Sequence, residues 1–220
     1  MSRKTLFVVL GLALLIAAGG IGYYFTSGSG NAASAKGYEI APTDRVLGNR
    51  NAKVVLIEYA ALTCPVCANF NANTFPRLKA DYIDTGKILY VFRMFPLRSD
   101  DGSAEKIARC LPEDKYFAFV DLLFKNQPKW DWEYGLKPPE VREGLVLLGR
   151  IAGMSREQVD QCMVNKAEDD RINQVSSEAQ SRYSVNATPT FILNGTSIGS
   201  GNIPFDSLSK LLDTEIAKQK

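Results

Sequence analysis

Two cysteines two residues apart, Cys64-Pro65-Val66-Cys67, sit between a β-branched apolar run and a helix-like segment. No other feature limits the possible folds as strongly. Thiols with this spacing at a helix start can close a small disulfide, with the first sulfur exposed and the second held beneath it. That is the arrangement of thiol-disulfide exchange. A second feature far down the chain, Ala187-Thr188-Pro189-Thr190, precedes another strand-like run.

Composition narrows the alternatives. The 220 residues, 45% hydrophobic, suit one globular domain with room for an inserted subdomain. There is no histidine. Ser-His, Cys-His and His-metal catalysis are therefore excluded unless a partner supplies the imidazole. With Arg3 and Lys4 set apart, 24 basic residues face 24 acidic ones. A balanced chain carries no electrostatic footprint for nucleic acid.

Thr5 to Phe25 is an uncharged run long enough to cross a bilayer as a helix. Arg3 and Lys4 before it predict a cytoplasmic N-terminus, and Tyr23 and Tyr24 fit an interfacial belt. Two readings stand side by side. The run is an uncleaved anchor in the inner membrane, or a signal peptide cleaved near Ala35 in the small-residue stretch Ala33-Ser34-Ala35. Either places the working part in an oxidising compartment, most simply a bacterial periplasm. Thr26 to Lys36, rich in Ser, Gly, Ala and Asn, reads as a flexible tether.

Beyond the tether, Val54-Val55-Leu56-Ile57 reads as a buried strand. Cys64 to Lys79 reads as a helix kinked by Pro76, and Lys87 to Phe95 as a second strand. Together they predict a β-α-β unit with a parallel pair. From Asp101 to about Ser176 the periodicity turns helical, with breaks at Pro112, Pro128 and Pro138-Pro139. Ser155 and Gln158 form a capping-box pattern. Strand character returns in Thr190 to Leu193, followed by an Asn194-Gly195 hairpin signal and a last amphipathic helix from Phe205. The expected layout is a signal-anchor or signal peptide over 1–25 and a linker over 26–44. The first α/β half then covers 45–99, a helical insertion 100–176 and the second half 177–220.

This order resembles the DsbA family of thiol:disulfide oxidoreductases, an α/β thioredoxin-like fold with an inserted all-helical subdomain. The residues that carry the resemblance are Val54 to Glu58 ahead of Cys64-Pro65-Val66-Cys67, the helical block, and Thr188-Pro189-Thr190-Phe191 ahead of the hairpin. It spans roughly residues 45 to 218. The resemblance implies a soluble-face enzyme that needs no cofactor. It would donate a Cys64–Cys67 disulfide to reduced exported proteins and be reoxidised by a membrane partner. A reductase or isomerase using the same dithiol is the alternative, and a metal-binding thioredoxin-like module a third.

Cys64 is the expected nucleophile, its thiolate favoured by a helix N-terminus, and Cys67 the resolving thiol. A structural disulfide or half a zinc site is the competing reading. Zinc needs about four ligands, so Cys110, Cys162 or carboxylates would have to complete it. The resemblance implies a cis-proline at Pro189 opposite the pair, with Thr188 facing the site. An ordinary trans-proline at a strand start is the plain alternative. The resemblance also places a buried acid at Glu58, where it could relay the Cys67 proton. Strand alternation could equally turn it outward. Val66 departs from well-known family members, which carry histidine there, and valine cannot stabilise a thiolate by charge. Cys110 and Cys162 fall in different predicted helices. An inter-helix disulfide is the leading expectation in an oxidising compartment, with two buried free thiols as the alternative. Trp130, Trp132 and Tyr134 are expected to pack a proline-rich connection rather than line a binding surface.

Overall fold

A computed structural model describes residues 38–219, which fall in one compact unit, Lys36–Lys220. The expected span at 5–25 and the cleavage site near Ala35 lie outside the described residues. Among the described residues, no helix is long and apolar enough to cross a membrane.

Five strands form one mixed sheet in the order β1-β3-β2-β4-β5: β1 (Arg45–Gly48), β2 (Val55–Ala60), β3 (Leu89–Met94), β4 (Thr190–Leu193) and β5 (Thr196–Ser200). β2 and β3 are parallel, with Val55 opposite Leu89, and the other pairs are antiparallel. A parallel pair needs a crossover, and helices α1 (Pro65–Asn73) and α2 (Phe75–Leu78) supply it. The sequence predicts a helix from Cys64 to Lys79 kinked by Pro76, and the structure sharpens that kink into a break. The chain breaks at Thr74, because Pro76 has no N–H to return to the preceding turn. A single π-helical turn, Lys79–Ile83, completes the crossover.

Strand alternation splits the core into two faces. Leu56 and Ala60 of β2 point, with Glu58, towards α1, while Ile57 and Tyr59 face the other way. On the first face lie α1, α2, the terminal helix and most of the helical block. That block is α3 (Ser99–Cys110), α4 (Tyr116–Lys125), α5 (Pro138–Ile151), α6 (Arg156–Met163) and α7 (Lys166–Tyr183). α7 runs unbroken through residue 176, and its Val175, Ala179 and Tyr183 cover the second face of the sheet. The block therefore passes into the second α/β half along one helix.

Local sequence explains several boundaries. The break expected at Pro138-Pro139 is where α5 opens, with both prolines inside its first turn, which has no use for their missing N–H groups. Ser155 caps α6 as its pattern suggests: its Oγ accepts the Gln158 N–H at 3.2 Å, and Gln158 Oε1 accepts the Ser155 N–H at 2.7 Å. Asn194 and Gly195 take φ of 47° and 84°, as a two-residue turn between β4 and β5 requires. The last helix, α8, covers Phe205–Ala217.

Candidate active site

Cys64 occupies the N-cap of α1, with Pro65 at the first helical position and exposed Val66 beside it. Its Sγ accepts the backbone N–H of Cys67 at 3.2 Å and, as a thiol, donates to the Thr188 carbonyl at 3.4 Å. Cys64 as a whole is only 4% exposed. Cys67 is fully buried one turn into the helix. The two sulfurs have opposite electrostatics. The Cys64 thiol is lowered from 9.0 to about 6, first by a hydrogen bond from Cys67, then by the Thr188 side chain and the Cys67 and Val66 N–H groups, against the cost of burial. Cys67 is pushed well above its ordinary value by burial, by its bond to Cys64 and by the charges of Cys64 and Glu58.

The Thr188-Pro189 peptide is cis, and Pro189 is buried just ahead of β4. Thr188 Oγ1 is buried with no hydrogen-bond partner in the dithiol form. An ionised Cys64 gives that hydroxyl an acceptor, which is how the Thr188 side chain lowers the thiol.

Glu58 lies within β2, which continues through Tyr59 and Ala60. Its side chain is buried on the α1 face rather than turned to solvent. Tyr90 of β3 donates to Glu58 Oε2 at 2.5 Å. Burial raises the carboxyl from 4.5 to about 8; the Tyr90 bond lowers it in part, and the nearby Cys64 charge raises it. Phe75 and Phe117 pack against Tyr90 with their rings tilted by 54° and keep this corner apolar. The structure thus brings Cys64, Cys67, Thr188, Pro189 and Glu58 into one site.

Known proteins agree on the kind of chain this is. The thioredoxin family profile matches residues 40–214. A probable disulfide bond formation protein D from Bacillus cereus is 30% identical over 96% of this chain and 95% of its own. The crystal structure of alpha-DsbA1 from Wolbachia pipientis is 31% identical, with a TM-score of 0.71 over 81% of this chain and 94% of that one. The chain belongs to the DsbA family. A putative protein-disulfide oxidoreductase from Rickettsia felis is 33% identical over 83% of this chain, which spans 64% of that relative's length. BdbD from Bacillus subtilis, 23% identical with a TM-score of 0.66, shares the fold.

Away from the redox pair of this DsbA-family chain, Cys110 at the end of α3 is bonded to Cys162 of α6, with Cα atoms 6.2 Å apart. The two pairs are thus separate, and among the described residues no cluster of three or more His, Cys, Asp or Glu could hold a metal. The aromatic cluster divides. Trp130 is buried, its Nε1 donating to the Leu123 carbonyl at 3.0 Å, whereas Trp132 and Tyr134 are 49% and 51% exposed. Sequence reasoning missed three residues at the site. They are Tyr90, Asp101 and Gln127, all buried and polar. Tyr90 lies opposite Leu56 in a run that reads only as strand. Asp101 had one legible signal, an acid in the first turn of a predicted helix; Gln127 had none.

Proposed function

We propose that this protein is a thiol:disulfide oxidoreductase that donates its Cys64–Cys67 disulfide to reduced proteins on the outer side of the cytoplasmic membrane. The observation that carries the reading is the asymmetry of the pair: Cys64, at the N-cap of α1 and 4% exposed, is lowered to about 6, while Cys67, fully buried one turn in, is raised. A substrate thiolate attacks Cys64 Sγ, the sulfur it can reach. The S–S bond breaks, and Cys67 departs with the electron pair. A thiolate in that apolar pocket is unfavourable, and Glu58, protonated below about pH 8, is the group that can give Cys67 a proton. A second substrate thiolate then attacks the substrate sulfur of the mixed disulfide and expels Cys64 as a stabilised thiolate. The substrate loses two electrons and the enzyme gains them. A membrane redox partner that removes those electrons closes the cycle. Leaving-group ability favours this direction, because the lower thiol leaves faster.

Location and anchoring belong to the same reading. Residues 5–25 would hold the enzyme in the inner membrane with its working part in the periplasm. Relatives named as protein-disulfide oxidoreductases and disulfide bond formation proteins support the chemistry. The deciding experiment is the reduction potential of the Cys64–Cys67 couple. The reference scale runs from about −270 mV for thioredoxin to about −120 mV for DsbA. A value towards the upper end supports a disulfide donor. One near the lower end makes the protein a reductase or isomerase fed with electrons from the membrane. Cys67→Ser should trap mixed disulfides with exported proteins at Cys64; a variant that traps none counts against the scheme.

A further inference from the structure

The loop that presents Cys64 is buried along its whole length. Ala61, Leu62 and Thr63, between β2 and α1, are closed to solvent, and Cys64 keeps only a 4% opening. Peptide groups there cannot turn to water, so each needs a protein partner. Cys64 N–H returns to the Ala61 carbonyl at 3.2 Å. Much of the remainder is met by two side chains of the helical block. Asp101, fully buried in the first turn of α3, accepts the Thr63 N–H at 2.7 Å and the Thr63 hydroxyl at 3.1 Å. The same carboxylate accepts the N–H groups of Leu97 and Arg98 at 2.9 and 3.0 Å, so it ties the loop to the start of α3. Gln127, buried in the turn after α4, donates from Nε2 to the Leu62 carbonyl at 2.8 Å and the Cys64 carbonyl at 3.2 Å. That turn is seated tightly: a Cβ at Gly144 of α5 would fall 1.9 Å from the Lys129 carbonyl.

We propose that Asp101 and Gln127 are positioning residues for the redox pair, through which the inserted helices set the reactivity of Cys64. Neither touches a sulfur. Both fix the backbone from which Cys64 Sγ meets the Cys67 N–H and the Thr188 carbonyl. The Cys64 carbonyl is a shared point, since it also accepts the Ala68 N–H that begins α1. Loss of Gln127 takes from the buried Leu62 carbonyl the donor that meets it, leaves the Cys64 carbonyl with the Ala68 N–H alone, and lets the loop turn to find another partner. The sulfur then moves relative to the N–H groups that hold its charge. The proposal rests on Cys64 being the nucleophile.

The test is the rate at which the reduced full-length protein is alkylated by iodoacetamide across pH, with the labelled cysteine mapped by mass spectrometry. Three variants are compared with wild type. Gln127→Leu removes both loop contacts without changing charge. Asp101→Asn must set an N–H against a backbone N–H, and a change of sign separates position from charge. Loss of the negative charge alone would speed alkylation, whereas a displaced loop slows it. Val159→Ala opens a cavity in α6 within the same block and serves as the control for general loosening. At pH 6, the midpoint for Cys64, losing about one hydrogen bond's worth of thiolate stabilisation slows labelling about threefold. The expected result is that slowing in Gln127→Leu and Asp101→Asn, with Val159→Ala at the wild-type rate. If either of the first two fails to fold, the other decides. Wild-type rates or faster in the folded variants overturn the proposal, as does equal slowing in Val159→Ala. Wild-type label on Cys67, or no transition near pH 6, overturns the nucleophile assignment and this proposal with it.

Discussion

Tyr90 donates a 2.5 Å hydrogen bond to Glu58 from the neighbouring strand, and both side chains are closed to solvent. The bond favours the ionised carboxyl, but burial outweighs it and holds Glu58 at about 8. The folded protein therefore binds this proton more tightly than the unfolded chain, whose value is 4.5. The stability that the neutral carboxyl supplies is complete below about pH 4.5 and is lost as pH rises towards 8.

Glu58→Gln removes that titration. The variant should gain stability relative to wild type as pH rises from 4.5 to 8, by a few kcal/mol at most, on the order of 4. Denaturant melts at several pH values read this directly, and parallel curves would refute it. Tyr90→Phe removes the one contact that lowers the carboxyl. Its carboxyl band in infrared titration should then move to higher pH.

Cys64 carries the opposite sign. Its thiol lies near 6 when folded and near 9.0 when free. The reduced protein gains stability as pH rises from about 6 to about 9, and loses that gain as pH falls through 6. The disulfide form has no such titration. The melting-temperature gap between reduced and oxidised protein should therefore widen in favour of the reduced form across this window. A gap independent of pH would show that the folded protein does not favour the Cys64 thiolate.

Val66 stands exposed at the second position of α1, where a larger polar ring has room. Val66→His places a partial positive charge beside Cys64 Sγ. The thiolate should become more stable and the couple more oxidising, by roughly 30 mV for each 1.4 kcal/mol gained. Equilibration with a glutathione buffer measures it. An unchanged or more negative potential would mean the dipeptide does not tune this site.

Cys110 and Cys162 are 52 residues apart in sequence. In the chain-entropy account, closing a loop of that length stabilises by about 4 kcal/mol. The Cys110→Ser, Cys162→Ser double variant should show a lowered denaturation midpoint of matching size, and its Cys64 titration should stay near 6. A stability loss under 1 kcal/mol would show that the unfolded chain is already restricted or that the bond adds little.

Much of the site was legible because its parts are local. The Cys64-Pro65-Val66-Cys67 spacing needs only one helical turn to put one sulfur at the N-terminus and the other beneath it. Asn194-Gly195 and the Ser155–Gln158 box declare a turn and a cap through backbone preferences of a few adjacent residues. The kink expected from Pro76 is present as a break at Thr74, two residues earlier, because Pro76 marks where the hydrogen bond is missing and the backbone parts ahead of it.

The sequence by itself determined the order of strands and helices and the spacing of the redox pair, since these follow from periodicity and short-range geometry, while the place of Thr188-Pro189 at the site was implied by the family resemblance. Tertiary structure alone decided which way Glu58 points. Alternation along β2 allows either face, and only packing against α1 and Tyr90 selects the buried one. It also decided that Asp101 and Gln127, 38 and 63 residues beyond their loop partners Thr63 and Cys64, meet the redox loop. Polar side chains look alike in sequence whether they end in water or in a core. What separates them is whether folding buries a peptide group within their reach.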